Sequence, residues 1–278
     1  MTAPSLDFDD FDALRRLIYD YSGIWLGDNK LVFLQGHLGD RLRARNISLS
    51  REYYYFLKYD SLGAEEIQAL TDAITINETW FFRETESIEA WRDAVAPDLL
   101  KRDLRLRLWS ATCSTGEEPY TLAMLLLEAF PESATAQFEI LATDISQRAL
   151  EVARAGVYDL HSLRHTAPDR LDKYFQPQPG GRRRVAEKVR QLVRFGWTNL
   201  LDPALAARVG TMDVIFCRNT LIYFDDQSRR AVLDNLYSVL KPGGHLALGL
   251  SETLAHAMLP FELARVNKTI MYRKPAKE

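Results

Sequence analysis

Two adjacent carboxylates, Glu117 and Glu118, follow the small-residue turn Ser114-Thr115-Gly116, and a third acid, Asp144, ends an apolar run further along. Negative charge at a turn that opens a helix repels a pyrophosphate and favours a cationic or amine-bearing ligand. One glycine with two acids behind it is not the glycine-rich turn of dinucleotide binders. The pattern points away from NAD and towards S-adenosylmethionine, which carries an ammonium and a sulfonium. An acid at the end of the strand after such a turn suits hydrogen bonds to ribose hydroxyls. At the head of Asp144-Ile145-Ser146 the same carboxylate would also serve as a helix N-cap. Asn77, Thr79 and Arg83 interleave with Trp80, Phe81 and Phe82, which suits a polar pocket walled by rings. In isolation those aromatics would equally serve as packing between domains, with Arg83 in a structural ion pair. His161 and His165 are four apart, yet no further His or Cys nearby completes a set of ligands, and no metal is expected.

A wound sheet would bring these residues together. Leu104, Leu106 and Leu108 alternate with arginine as a strand entering a sheet does. Residues 117–130 read as a helix with acids in the first turn and Pro119 near its start. Strand, tight turn and helix present backbone N–H groups to a ligand at the carboxyl edge of a parallel sheet. Residues 138–143 form the next strand and 145–154 the next helix, closed by Gly156. Residues 158–194, with Pro168, Pro177, Pro179, Gly180-Gly181 and the run Arg182 to Arg184, break the rhythm and read as an insertion, part loop and part hairpin. Strands at 191–195 and 213–217 resume it, with Arg218-Asn219 at the end of the second. A helix at 227–240, a turn Lys241-Pro242-Gly243-Gly244 and a strand at 245–250 follow. The chain closes with strand-like runs 261–266 and 269–273 joined through Asn267-Lys268. A terminal antiparallel pair after a wound sheet marks the class I methyltransferase variant of the Rossmann architecture.

Residues 1–75 read as a helical module in front of this α/β domain. Phe11, Leu14, Leu17, Ile18 and Tyr21 recur at helical spacing, and Gly23 offers a stop. A second helix at 29–45 carries Leu31, Leu34, Leu38 and Leu42, while Lys30, His37, Arg41 and Arg45 fall within an arc of roughly 80°. Two shorter helices are expected at 51–58 and 64–74. From residue 29 to 58 there are six Lys/Arg (Lys30, Arg41, Arg43, Arg45, Arg51, Lys58) against two acids, Asp40 and Glu52. A basic stripe in an acidic protein would dock an acidic partner helix, although charge alone favours a solvated face. Residues 76–103 link this module to the domain at 104–278 and contribute to the pocket. A net charge of −3 over 278 residues argues against a surface that coats nucleic acid. Cys113 and Cys217 sit in apolar contexts, as buried thiols of a reducing compartment do. Residues 1–12 are acidic without an apolar signal core, and no apolar run approaches the ~20 residues of a membrane span. A cytoplasmic monomer is expected.

The strings WSATCSTGEEPYTLAM, NETWFFRE, ATDIS, FGWTNLL and IFCRNTLIYFD, with LKPGGHLALGLSE behind them, resemble the CheR family of chemotaxis-receptor glutamate methyltransferases, in the family's order and at closely similar separations. The resemblance covers nearly the whole chain. It implies a small all-α domain, then a class I S-adenosylmethionine-dependent methyltransferase domain carrying a small β-subdomain at about 158–194. It also implies a cofactor pocket of Asn77, Thr79, Arg83, Glu118, Asp144, Asn199, Leu200, Arg218 and Asn219, with Glu118 on the methionine amino group and Asp144 on the ribose. Arg83 and Tyr223 would lie nearest the reacting methyl. Helix 29–45, with Lys30, His37, Arg41 and Arg45, looks like the family's receptor-facing helix, which reverses the preference drawn from charge. The insertion looks like the subdomain that in some members grips a receptor tail peptide. The implied reaction converts a glutamate of the receptor's cytoplasmic helical bundle into a methyl ester and leaves S-adenosylhomocysteine. A carboxylate is already ionised near pH 7, so no general base is needed.

Two other readings compete. A class I methyltransferase acting on a flipped nucleic-acid base often carries an NPPY-like element where this chain has CRNTLIYF, and the charge supports no polyanion groove. A regulatory module that senses S-adenosylmethionine or its product without catalysis would be signalled by a lost pocket residue, and every position named above is intact.

Overall fold

The computed structural model describes residues 6–254 and 259–276, so the expectations for residues 1–5, 277 and 278 lie outside it. The alternating leucines build β1 (Leu106–Ser110), the centre of a seven-stranded sheet. It pairs in parallel with β2 (Phe138–Asp144) on one side and with β7 (Met212–Phe216) on the other. β6 (Val193–Trp197) lies outside β2, and β8 (Leu240–Ala247) lies outside β7, both parallel. β10 (Thr269–Arg273) enters antiparallel between β8 and β9 (Glu262–Val266). Every residue of β7 is buried, as expected for a parallel strand with helices on both faces. This is the wound α/β sheet with a terminal antiparallel pair that the sequence implies.

Several boundaries differ from those expected, some for a tertiary reason. Leu104 is 91% exposed and outside the sheet, because β1 begins where Arg107 N–H finds the buried Asp213 carboxylate at 2.8 Å. The strand at 191–195 begins at Val193 instead and runs to Trp197. Lys241 to Gly244 is not a turn but the irregular start of β8. Lys241 Nζ lies 2.9 Å from both Asp213 oxygens, and the Gly243 N–H donates to the Lys274 carbonyl.

The insertion forms a separate antiparallel sheet in the order β3 (Val157–Tyr158), β5 (Arg183–Val185), β4 (Phe175–Pro177). The N-terminal unit comprises α1 (Phe8–Ser22), α2 (Leu31–Arg45), α3 (Ser50–Tyr59) and α4 (Gly63–Ile74), around a core that includes Phe11, Leu34, Leu38, Tyr53 and Leu70. Glu66 of α4 is fully buried in this unit. Arg41 donates to both of its oxygens (2.8 and 2.7 Å), Arg45 Nε to one (2.5 Å) and the Tyr53 hydroxyl to the other (2.6 Å). Burial alone would push this carboxyl up, but the donors outweigh it and hold Glu66 below the usual range. The basic stripe is therefore divided. Periodicity places Arg41 and Arg45 on one face of α2, yet that face packs on α4 and both guanidiniums turn to Glu66. His37 Nδ1 bonds the Phe33 carbonyl at 2.8 Å.

His245 of β8 is buried, with no hydrogen-bond partner at Nδ1. Burial, reinforced by Arg273, pushes its pKa down to about 4. The ring is neutral in the fold while the unfolded chain binds a proton from about pH 6.5, so stability is full above 6.5 and drains between 6.5 and about 4. The full loss amounts to about 3 kcal/mol. Urea unfolding across this window should show a flatter pH profile for His245→Phe than for the parent. Parallel profiles would overturn the assignment.

Candidate active site

Strand order turns back at β1: the chain builds outward to β2 and β6, then returns to the other side for β7 and β8. The crevice at the carboxyl ends of strands flanking such a point is where wound sheets bind ligands. A cavity of about 330 Å³ opens there. Its walls come from the ends of four strands: Ala111 to Ser114 after β1, Asp144 and Ile145 at β2, Thr198 to Leu200 after β6, and Arg218 to Thr220 after β7. Asn77, Thr79, Arg83, Glu118, Asp144, Asn199, Leu200, Arg218, Asn219 and Tyr223 all line it, as does Lys30. His37, Arg41 and Arg45 are not among its lining residues.

Gly116 has φ +97° and opens the helix Glu117–Ala129. A Cβ there would stand 2.8 Å from Ala153 Cβ and 2.9 Å from the Tyr158 hydroxyl, so both space and backbone demand glycine. Of the paired acids, Glu118 faces the cavity; Glu117 is buried beside it and accepts from the Thr115 hydroxyl at 2.6 Å. Glu118 accepts from Ser110 Oγ at 2.7 Å and from Arg218 Nη1 at 3.0 Å. Burial pushes its carboxyl up, and Arg218 opposes that rise. Asp144 accepts the Ser114 N–H at 2.7 Å and the Ser146 N–H at 2.9 Å. Burial still raises it, with these N–H bonds in opposition. Asp144 does not cap the next helix. That helix is Gln147–Ala155, and Ser146 Oγ caps it by accepting from the Ala149 N–H at 3.2 Å. The Asp144 carboxylate instead fixes the Ser114 turn at the cavity wall.

Arg218 ties the site together. Its side chain is buried, Nη1 reaches Glu118, and Nη2 donates to the carbonyls of Arg83 (3.0 Å) and Glu84 (2.8 Å). Arg83 stands between Phe82 (φ +61°) and Glu84 (φ +48°), two left-handed residues that are costly away from glycine. Arg218 holds one side of this segment, and the Phe82 N–H donates to Thr121 Oγ1 at 3.0 Å on the other. Arg83 Nη1 donates to the Glu78 carbonyl at 2.8 Å, its guanidinium carbon lies 4.7 Å from the Trp80 ring centre, and Nε is buried without a hydrogen-bond partner.

Several organising residues escaped the sequence reading. The backbone N–H groups of Asn219, Thr220, Leu221 and Gly249 converge on the Glu252 carboxylate at 2.7 to 2.8 Å. This nest sets the left-handed Asn219 (φ +57°) and the 3₁₀ turn Leu221–Tyr223 that carries Tyr223. The only sequence trace of it is the acid ending LKPGGHLALGLSE. The N-terminal unit also supplies cavity wall through Ser22, Ile24, Trp25 and Phe33. It is fastened there by the Trp25 N–H to the Tyr223 carbonyl (2.9 Å), an antiparallel bridge from Ile24 to Phe224, and Asn199 Nδ2 to the Tyr21 carbonyl (2.6 Å).

The donor set fits S-adenosylmethionine. Glu118 offers an anion to an ammonium, Asp144 offers acceptors at a strand end, and Ile88, Ile145 and Leu200 offer apolar surface. Among the described residues no group of three or more His, Cys, Asp or Glu is arranged to hold a metal ion.

Comparison with known proteins agrees with this geometry. The family described as CheR methyltransferase, all-alpha domain, matches residues 9–75, and CheR methyltransferase, SAM binding domain, matches residues 77–270. The chain is 38% identical to chemotaxis protein methyltransferase 2 of Vibrio cholerae over 96% of this chain and 93% of that one. It is 36% identical to chemotaxis protein methyltransferase 1 of Pseudomonas aeruginosa over 95% and 97% of the two chains. The protein belongs to the CheR methyltransferase family and is an S-adenosylmethionine-dependent methyltransferase.

Proposed function

We propose that this enzyme methylates glutamate side chains on the cytoplasmic helical bundle of chemoreceptors, working in the cytoplasm as a monomer. The observation that carries the reading is the linked set Glu118–Arg218–Arg83, facing one cavity with Tyr223 in a chain of the CheR family. Relatives named chemotaxis protein methyltransferase support it.

In this reading Glu118 takes the cofactor ammonium and Asp144 the ribose, while Asn77, Thr79, Asn199, Leu200, Arg218 and Asn219 complete the pocket. The bound cofactor supplies a methyl activated by a sulfonium. Arg83 orients the incoming carboxylate at the cavity, and the Tyr223 hydroxyl fixes its second oxygen. The protein's contribution is positioning and a preorganised field rather than proton transfer. A tight arginine clamp would lower the nucleophilicity of the carboxylate. Arg83 already spends Nη1 on the Glu78 carbonyl, which leaves part of the fork for orientation.

Residues 1–75 form the receptor-facing unit, 76–103 the linker to the pocket, and 104–278 the transferase domain. Within the first, α2 meets the receptor. Lys30 stands at the cavity, while His37, Arg41 and Arg45 set the helix and its charge, the two arginines through Glu66. The inserted sheet, with Arg182 to Arg184, takes the receptor tail peptide.

Transfer of radiolabelled methyl from S-adenosylmethionine to receptor-enriched membranes, followed by mild alkali, tests this. Label in a receptor-sized band, released by base as methanol, is the expected result. Base-stable label, or label in nucleic acid, would overturn the substrate. Binding of the cofactor product with no protein labelled would favour a sensor.

A further inference from the structure

Trp80 lines the active-site cavity and touches two guanidinium groups. The Arg83 carbon lies 4.7 Å from its ring centre, and the Arg164 carbon lies 4.1 Å from the same centre. Arg164 is exposed and comes from the stretch between β3 and β4, where the chain leaves the wound sheet for the inserted sheet. That stretch is built rather than loose. Asp159 Oδ1 accepts the N–H groups of His161 (2.9 Å) and Ser162 (3.1 Å), and Arg164 Nη1 donates to the His161 carbonyl at 2.6 Å. The Ser162 carbonyl accepts the Phe81 N–H at 3.0 Å, which fastens the stretch to the backbone beside Trp80. Arg164 makes no ion pair among the described contacts. Its side chain is turned back onto its own loop and onto the indole.

Arg83, for its part, is held loosely for a residue with a positional task. It has one hydrogen bond of its own, to the Glu78 carbonyl, a 3.7 Å approach of Nε to Glu84, and the indole. An aromatic face fixes the plane of a guanidinium as well as attracting its charge. With Nε unpartnered, the Trp80 ring is the surface that sets the attitude of the Arg83 fork.

We infer that Trp80 and Arg164 are positioning residues for methyl transfer: Arg164, clamped at the foot of the inserted sheet, holds the Trp80 indole, and the indole orients the Arg83 guanidinium towards the substrate carboxylate. The inference rests on the proposed role of Arg83 and adds that the inserted module acts on turnover as well as on recruitment. Neither residue touches the methyl in this arrangement. Their effects pass through Arg83.

Steady-state transfer to receptor-enriched membranes, with calorimetric binding of S-adenosylhomocysteine alongside, tests the relay. Arg164→Gln should lower kcat about fivefold, the scale of one cation–π contact. KM for receptor and affinity for S-adenosylhomocysteine should stay within about twofold, because Arg164 is not among the cavity-lining residues and its side chain is committed to its own loop and the indole. Arg164→Lys should restore most of the rate. Trp80→Leu should cost about tenfold in kcat, and Arg164→Gln should add nothing on that background. A persistent fivefold effect of Arg164→Gln in the Trp80→Leu protein would overturn the relay, as would a raised KM with kcat intact. If Arg83→Ala impairs transfer while Arg164→Gln and Trp80→Leu are both silent, the relay falls and the role of Arg83 stands. If Arg83→Ala is itself silent, both fall.

Discussion

Replacing Arg83 by alanine is expected to lower kcat for receptor methylation by about 10²-fold, the effect of losing one preorganised donor at a reacting centre. Affinity for S-adenosylhomocysteine should change by no more than about threefold, because the anionic groups facing the cofactor, Glu118 and Asp144, are held by other partners. Glu118 rests on Ser110 and Arg218, and Asp144 rests on the N–H groups of Ser114 and Ser146. None of these bonds involves the Arg83 side chain. The backbone strain around Arg83 is likewise held from outside: Arg218 reads the carbonyls of Arg83 and Glu84, and Thr121 reads the Phe82 N–H. Alanine at 83 therefore keeps the segment in place while removing the fork. Arg83→Lys, which keeps charge without the planar fork, should fall between the two. Single-turnover transfer beside calorimetry of the product separates the terms. Equal losses in rate and in product binding would make Arg83 a cofactor ligand and remove its orienting role.

Glu118→Gln is expected to weaken binding of S-adenosylhomocysteine by about 10²-fold, the scale of one charged, partly desolvated partner lost from a binding site. Glutamine keeps one oxygen to accept from Arg218, and its NH2 can donate to the Ser110 hydroxyl, so the fold is spared most of the penalty of an unpaired buried cation. Glu118→Ala would leave Arg218 with Glu84 at 3.3 Å and two carbonyls, and should also destabilise the protein by about 3 kcal/mol. The same carboxylate makes binding pH-dependent. Burial raises Glu118, so on acidification it takes up a proton, and loses its hold on an ammonium, at a higher pH than an ordinary glutamate would. Asp144 is raised in the same direction by burial. Calorimetry of product binding over falling pH should show the parent losing affinity early. In Glu118→Gln the profile should flatten, keeping only the contribution of Asp144. A variant that binds as the parent does at neutral pH would place the ammonium elsewhere in the cavity.

The local pattern of residues was enough to announce much of this molecule. Leucine alternation, a small-residue turn and paired acids at a helix start describe the unit at residues 106–129, because each signal depends on neighbours within a few positions. The positive φ that favours glycine at 116 belongs to the same local turn, while the lack of space for a side chain there comes from the distant Ala153 and Tyr158. The terminal strands are legible for the same reason: the 269–273 strand falls where its β-rich run stands, and Asn267 takes φ +52° in the turn before it. The expected pocket residues line one cavity; convergence of the strand ends accounts for Asp144, Asn199, Leu200, Arg218 and Asn219, whereas Asn77, Thr79 and Arg83 reach it from the segment before β1.

Tertiary structure decided the partnerships. The periodicity of α2 shows which residues share a face but not what that face meets, and it meets Glu66 of α4. Whether Asp144 caps a helix or holds the Ser114 turn depends on Ser146 competing for the cap and on the approach of β1, which lies some thirty residues away. The glycine pair at 243–244 reads as a turn until Lys274, at the far end of the chain, arrives to pair with it. Glu252 looks like any surface acid until four N–H groups from two loops close on it. The wall that the N-terminal unit lends to the cavity exists only because the stretch between α1 and α2 bonds to the turn carrying Tyr223. Each of these pairs residues that are distant in the chain. Local propensity has a range of a few residues, whereas a buried charge or N–H group takes whatever partner the completed packing brings within 3 Å.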